Sequence, residues 1–316
     1  MAALGPQLTP RAVAIVGPTG SGKSALALQV CESLAGEIVS CDSIQVYRGL
    51  DIGSGKASPA ERTRVRHHLI DILDIGQDMN AGIFAERAAL AIGDVGGRGH
   101  LPVLTGGTGL YLTALLKGLF EGGAADPALR SRLGGLADKH GAARLHRLLV
   151  AKDPEYASRT GVRDRPRIVR ALEVCFKTGR RFSEAQRARR PAFQGAVLMI
   201  GLSPNRDLLR ERVTRRVRGM IENGVVEEAR QALQSLPPGL APPRPLMSIG
   251  YREVVAQIAK GRVDTAPDGE LERAIVTATM QYAKRQMTYF RGQFEVEWFE
   301  EPGSALDRIT GWVRQS

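Results

Sequence analysis

Cysteine is scarce in this chain: Cys31, Cys41 and Cys175 form an odd, widely spaced set without a CxxC pair. That pattern argues against a disulfide framework or a thiolate zinc site and points to buried free thiols. Long apolar runs are also missing, and none approaches the roughly 20 residues that a bilayer-spanning helix needs. The short apolar stretch at 12–16 leads directly into a glycine-rich loop, so it reads as a strand and not as part of a signal peptide. No membrane association and a cytoplasmic location are the expectations. Internal repeats and low-complexity tails are absent as well.

What is present fits a globular protein. The 316 residues are 43% hydrophobic and 24% charged, enough for a substantial core that carries a smaller second module. The formal net charge of +11 calls for a polyanionic partner, with nucleic acid the first suspect. Apolar runs at 12–16, 37–41, 68–73 and 101–105 alternate with helical patterns at 24–34 and 80–95, which implies a parallel sheet. Over about 122–191 the strand-like runs vanish and arginine-rich helical patterns replace them, ending in the basic stretch 180–190. A strand pattern returns at 197–202, followed by helices near 207–222 and 225–233 and a proline-broken loop at 236–245. A long helix at 269–291, a strand at 296–299 and a helix at 304–313 close the chain. The fold class expected is α/β: a P-loop NTPase-like parallel sheet core, residues 1–121 and 196–316, with an inserted all-helical domain at 122–195.

Gly17, Pro18, Thr19, Gly20, Ser21, Gly22, Lys23 and Ser24 match G-x-x-x-x-G-K-[ST] between an apolar strand and a helical pattern, the context this motif requires. Glycines let backbone N–H groups converge on phosphate oxygens, Lys23 adds a full charge, and the Ser24 hydroxyl is placed to ligate Mg²⁺. Such a loop specifies a diphosphate, not ATP in particular. A kinase or NTPase normally adds a strand-end Asp for Mg²⁺, yet the strand at 101–105 runs into Gly106-Gly107-Thr108-Gly109. Asp71 is the remaining carboxylate for that reading, so a small-molecule kinase or NTPase stays open. Asp42, at the carboxyl end of the second strand, faces the ligand crevice of an α/β sheet and suits a general base, a helix cap being the plainer alternative. Thr108 holds the equivalent strand-end position.

The ordered set GPTGSGKS, DSIQVYRGLDIGSGK, HHLIDI, GGTGLYL, RIVRALEV, SIGYRE and AKRQMTYFRG resembles the tRNA dimethylallyltransferase family, also called tRNA isopentenyltransferases, collinearly from residue 13 to about 299. The resemblance implies transfer of a dimethylallyl group from dimethylallyl diphosphate to N6 of the adenosine 3′-adjacent to the anticodon in tRNA, with Mg²⁺ as the only cofactor. It implies Asp42 as general base, Thr108 and Arg130 near the reacting groups, and the phosphate loop as the diphosphate site. It further implies tRNA contacts at Asp42, Ser43, Ile44 and Gln45, at Pro166, Arg167, Ile168, Val169 and Arg170, and at Met247, Ser248, Ile249, Gly250, Tyr251 and Arg252. Lys284, Arg285, Gln286, Met287, Thr288, Tyr289, Phe290 and Arg291 complete the implied RNA surface. The helical insertion is expected to close over the anticodon stem-loop, in a monomer of the shorter, bacterial-type architecture. An isopentenyltransferase acting on free adenine nucleotides is a further alternative; a non-catalytic RNA-binding module leaves Asp42 and Thr108 beside a complete phosphate loop unexplained. Arginines 206, 210, 212, 215, 216 and 218 wrap around their helix and read as a general basic surface.

Overall fold

The computed structural model describes residues 10–119, 126–237 and 239–315. In chain order the elements are β1 (Arg11–Val16), α1 (Lys23–Leu34), β2 (Gly36–Ser40), α2 (Pro59–Arg64), β3 (His67–His68), α3 (Ala81–Gly97), β4 (Leu101–Thr105) and α4 (Gly109–Lys117). Then come α5 (Pro127–His140), α6 (Ala142–Lys152), α7 (Pro154–Ser158), α8 (Arg165–Thr178) and α9 (Phe182–Arg187). The chain continues with β5 (Ala196–Leu202), α10 (Arg206–Glu222), α11 (Val225–Gln234), a 3₁₀ turn (Arg244–Met247), α12 (Tyr251–Ala259), α13 (Glu270–Gln293), β6 (Glu297–Phe299) and α14 (Pro302–Arg314).

Six strands form one parallel sheet in the order β3-β2-β4-β1-β5-β6. β1 shows why its sequence reads as a continuous apolar run: side chains alternate between faces, and both faces are covered. Ala12, Ala14 and Val16 enter the core on one side, while Val13 and Ile15 enter the core on the other. β1 and β2 end at the loops that carry residues 17–22 and 41–45, and β4 ends at Gly106 to Thr108, so three loops converge at the carboxyl edge of the sheet.

The expected α/β class and parallel sheet are found, with one change in an edge strand. The pattern at 68–73 predicts a full strand, but only His67 and His68 pair with β2. Leu69 at φ 61° and Asp71 at φ 55° turn the backbone into the left-handed region, which ends the ladder.

The chain separates into two compact units, residues 1–116 with 193–316, and residues 117–192. The expected boundary at 121/122 lies outside the described residues, and the expected 195/196 boundary lies three residues beyond the observed 192/193 one. The second unit, as far as it is described, is helical, with its own core of Leu133, Leu149, Ile168, Leu172 and Phe182. Asp153 caps α7 through Tyr156 N at 3.0 Å and also accepts from Ser183 N at 2.7 Å, tying α7 to α9.

Candidate active site

The loop from Gly17 to Gly22 is held open from several sides. Gly17, Gly20 and Gly22 have φ values of 143°, 86° and 96°, which L side chains rarely adopt. A Cβ on Gly20 would lie 2.9 Å from Val213 on α10, so the loop rests directly on that helix. Gln286 on α13 accepts from Thr19 N at 2.9 Å and donates to Gly107 O at 3.0 Å, joining the phosphate loop to the turn after β4. Arg212 donates to Ser21 O at 3.2 Å. The hydroxyl of Ser21 is buried without a partner.

Lys23 is buried, and its ammonium donates to Pro18 O at 2.7 Å. Burial first, and repulsion from Arg216 second, lower it to about 7, against an upward pull from Asp42. An anion at the loop opposes both lowering effects by supplying a counter-charge. Ser24, in the first turn of α1, lines a cavity of about 310 Å³ together with Ser40, Thr105, Lys56 and Arg216. Thr105 Oγ1 is buried with no hydrogen-bond partner among the described residues, an orphaned oxygen on a residue that lines the same cavity.

A second cavity of about 310 Å³ brings Thr19, Asp42, Ser43, Ile44 and Thr108 together with Arg216 and Arg285. Asp42 makes a tight turn: Oδ1 accepts from Ile44 N at 2.8 Å and Gln45 N at 3.3 Å. Among the described residues no hydrogen bond engages Oδ2, which leaves that oxygen for a ligand proton. No helix begins at Asp42, so its Oδ1 closes a local turn and the helix-cap alternative does not hold. Thr108 Oγ1 accepts from Ser43 N at 3.2 Å, so the hydroxyl retains its proton to donate. Tyr282 adds a phenol raised to about 12 by burial and then by Asp42. The remaining wall is apolar, with Val213, Val217 and Met220 on α10 and Ile275 on α13.

Arg216, read from sequence only as part of a general basic surface, stands at the centre of the candidate site. It borders both cavities and donates to Ser54 O at 3.2 Å. Burial lowers its guanidinium and Asp42 raises it. The available signal was the apolar stripe Val213, Val217 and Met220 at helical spacing, which puts Arg216 at the edge of the buried face, exposed but bordering the cavities. Glu228 is an omission of the sequence reading; its carboxylate accepts from the backbone amides of Asp51, Ile52 and Gly53.

Several implied RNA contacts are turned inward and require correction. Tyr251 and Phe290 are fully buried, and Ile168 belongs to the core of the helical unit. Gln286 is 4% exposed and spends both ends of its amide on the loop clamp. Tyr251, Phe290, Gln286 and Ile168 are packed inside the protein, whereas Gly250 lines the Asp42 cavity. Tyr289 also has an internal role, with its hydroxyl bonded to Thr113 at 2.8 Å and its ring against Gly109. Arg130 donates to the buried Glu173 at 2.9 Å, and Arg170 bonds the same carboxylate at 2.5 Å. Val169 is half-buried against the same helical core. Pro166, Arg167, Met247, Arg252, Lys284, Arg285, Thr288 and Arg291 are exposed. Ser248 and Ile249 line the Asp42 cavity, while Met287 and Lys284 line a separate one beside Pro18. Gln45 reaches Gly55 O at 3.2 Å.

The carboxylate that kept a kinase reading open is committed elsewhere. Asp71 binds Lys56 and Arg62, each at 2.6 Å. No group of three or more His, Cys, Asp or Glu side chains suited to a metal occurs among the described residues.

A family model described as IPP transferase matches residues 45–293. The chain is 46% identical over 306 residues to the tRNA dimethylallyltransferase of Geobacter metallireducens, covering 96% of this chain and 97% of that one. A crystal structure of the full-length tRNA isopentenylpyrophosphate transferase from Bacillus halodurans superposes with a TM-score of 0.69 at 32% identity, covering 97% of each chain. A eukaryotic dimethylallyltransferase, solved acting on tRNA, matches at a TM-score of 0.74 and 25% identity over 92% of this chain and 74% of that one.

Proposed function

The chain belongs to the IPP transferase family, and from that membership we propose that it transfers a dimethylallyl group from dimethylallyl diphosphate to N6 of the adenosine 3′-adjacent to the anticodon in tRNA, releasing diphosphate. It is a transferase that modifies tRNA. The observation that carries the reading is one cavity in which a carboxylate with a free oxygen, a hydroxyl and a guanidinium meet an apolar wall beside a phosphate loop.

The step is alkyl transfer, and no phosphoryl group moves. The N6 lone pair forms the new bond to C1 of the dimethylallyl group as the C1–O bond breaks and the electron pair leaves on diphosphate. Asp42 Oδ2 takes the N6 proton, which helps because an adenine amine is a weak nucleophile, by about 10²–10⁴-fold. Arg216, Lys23 and the loop amides stabilise the charge that develops on the departing oxygens. Thr108 donates a hydrogen bond from its hydroxyl to the reacting groups and keeps its proton. Val213, Val217, Met220 and Ile275 exclude water from the allylic carbon. The adenine enters this cavity flipped out of its stack, at a cost of roughly a few kcal/mol.

Mg²⁺ fits the Ser24 side of the loop, since that ion takes hard oxygen ligands and keeps several from water and substrate phosphate. The hydroxyl of Ser24, with the orphaned Oγ1 of Thr105, a residue that lines the same cavity, supports this assignment. When bound, the ion neutralises part of the diphosphate charge. The exposed cations Arg252, Lys284, Arg285 and Arg291 on the first unit and Arg167 on the second supply phosphate contacts to tRNA. We propose that it works as a monomer in the cytoplasm, where tRNA is its substrate. Among the described residues no helix is long and apolar enough to cross a membrane.

The experiment is incubation with unmodified tRNA, Mg²⁺ and either dimethylallyl diphosphate or ATP, followed by nuclease digestion and mass spectrometry of the nucleosides. A five-carbon addition to adenosine only with the first donor is expected. Phosphate release or transfer from ATP alone would overturn the assignment.

A further inference from the structure

Glu228 lies on α11, outside every motif of the site. Its Oε2 accepts from Asp51 N at 2.6 Å and Ile52 N at 2.8 Å, and its Oε1 accepts from Gly53 N at 3.0 Å and from the Tyr251 hydroxyl at 2.5 Å. Four donors saturate the acceptor capacity of one carboxylate. The next residue along, Ser54, presents its carbonyl to Arg216 at 3.2 Å. Gly55, at φ +59°, passes so close beneath the guanidinium that a Cβ there would stand 2.2 Å from Nη2. Gly53 is seated on the Tyr251 ring, where a Cβ would approach to 2.5 Å.

We propose that Glu228 is a positioning residue for Arg216, acting through the backbone of residues 51–54. This rests on the transfer activity proposed above. Three successive amides aimed at one point need an acceptor there; without it they turn to water and carry the Ser54 carbonyl with them. Arg216 then loses the protein group that orients it, and a long side chain returns to sampling many rotamers. Tyr251 and Glu228 thus act on the donor site without touching it, which gives the buried tyrosine of the SIGYRE segment a role other than RNA contact.

The test is a double-mutant cycle read in transfer assays, with donor and tRNA varied separately. Glu228→Gln is expected to lower kcat/KM for dimethylallyl diphosphate by on the order of tenfold while KM for tRNA stays within about twofold. In an Arg216→Gln background the same substitution should cost less than about twofold more, because residues acting as one unit are not additive. Competitive inhibition by inorganic diphosphate should weaken in parallel with the donor. Equal losses in both backgrounds, or a tRNA KM that moves as much as the donor's, would overturn the proposal. Tyr251→Phe, which removes one of the four donors and leaves the charge, keeps the cycle measurable if Glu228→Gln fails to fold; a smaller loss of the same pattern is expected. A wild-type protein that transfers nothing overturns the activity itself, whereas an active wild type with additive losses overturns only the role of Glu228.

Discussion

Lys23 carries a charge that depends on what occupies the loop. With its ordinary value lowered to about 7 by burial and by Arg216, the free protein at alkaline pH holds a largely neutral amine. A bound diphosphate favours the ammonium, so above pH 7 binding must take up a proton. Donor affinity should therefore fall with rising pH, approaching about tenfold per pH unit. Lys23→Arg should flatten that dependence, because a guanidinium does not titrate in the range; a flat wild-type profile from pH 7 to 9 would remove Lys23 from the linkage. Asp42 makes a different prediction. Asp42→Asn keeps the oxygen that accepts from Ile44 and Gln45 but cannot take a proton. Single-turnover transfer should drop by about 10²–10⁴-fold with tRNA affinity within about twofold. Near-normal transfer would refute the general-base role.

The elements that place these residues are secured away from the chemistry. On β2, Glu37 is buried; its burial alone raises the carboxyl, but hydrogen bonds from Arg98, His68 and His100 overcome that and hold it at about 2. A depressed carboxyl contributes stability that is full above its unfolded value, near 4.5, and is lost as pH falls toward 2. Glu37→Gln should lower stability by roughly 1–3 kcal/mol at pH 7. In urea titrations that gap should close between about pH 4.5 and 2; a gap that does not change with pH would show that shape, not charge, holds the strand pair. Alternation along β1 was legible in sequence because each residue's face follows from strand geometry alone. The short β3 was not, because Leu69 and Asp71 adopt positive φ for reasons that lie in tertiary partners, Asp71 being drawn to Lys56 and Arg62.

Across the whole molecule the charge of +11 divides into paired and unpaired cations. Arg130 and Arg165 are bound to carboxylates of the helical unit, whereas Lys284 and Arg285 stand exposed without an ion pair among the described residues. Replacing Lys284 and Arg285 by Gln should weaken tRNA binding and reduce the slope of log K against log salt by about 0.7 for each single-strand phosphate that is no longer neutralised. Unchanged slopes would move the RNA surface elsewhere. The sequence by itself determined the phosphate loop, the parallel sheet, the helical insertion and the strand-end positions of Asp42 and Thr108, because each depends on local spacing and on residues close along the chain. Only the tertiary structure decided which residues of the later motifs face a ligand. Helical spacing names a face but not its neighbour: packing of α10 against α13 brought Arg216 to the cavity and turned Gln286 to the loop, while the core enclosed Tyr251 and Phe290.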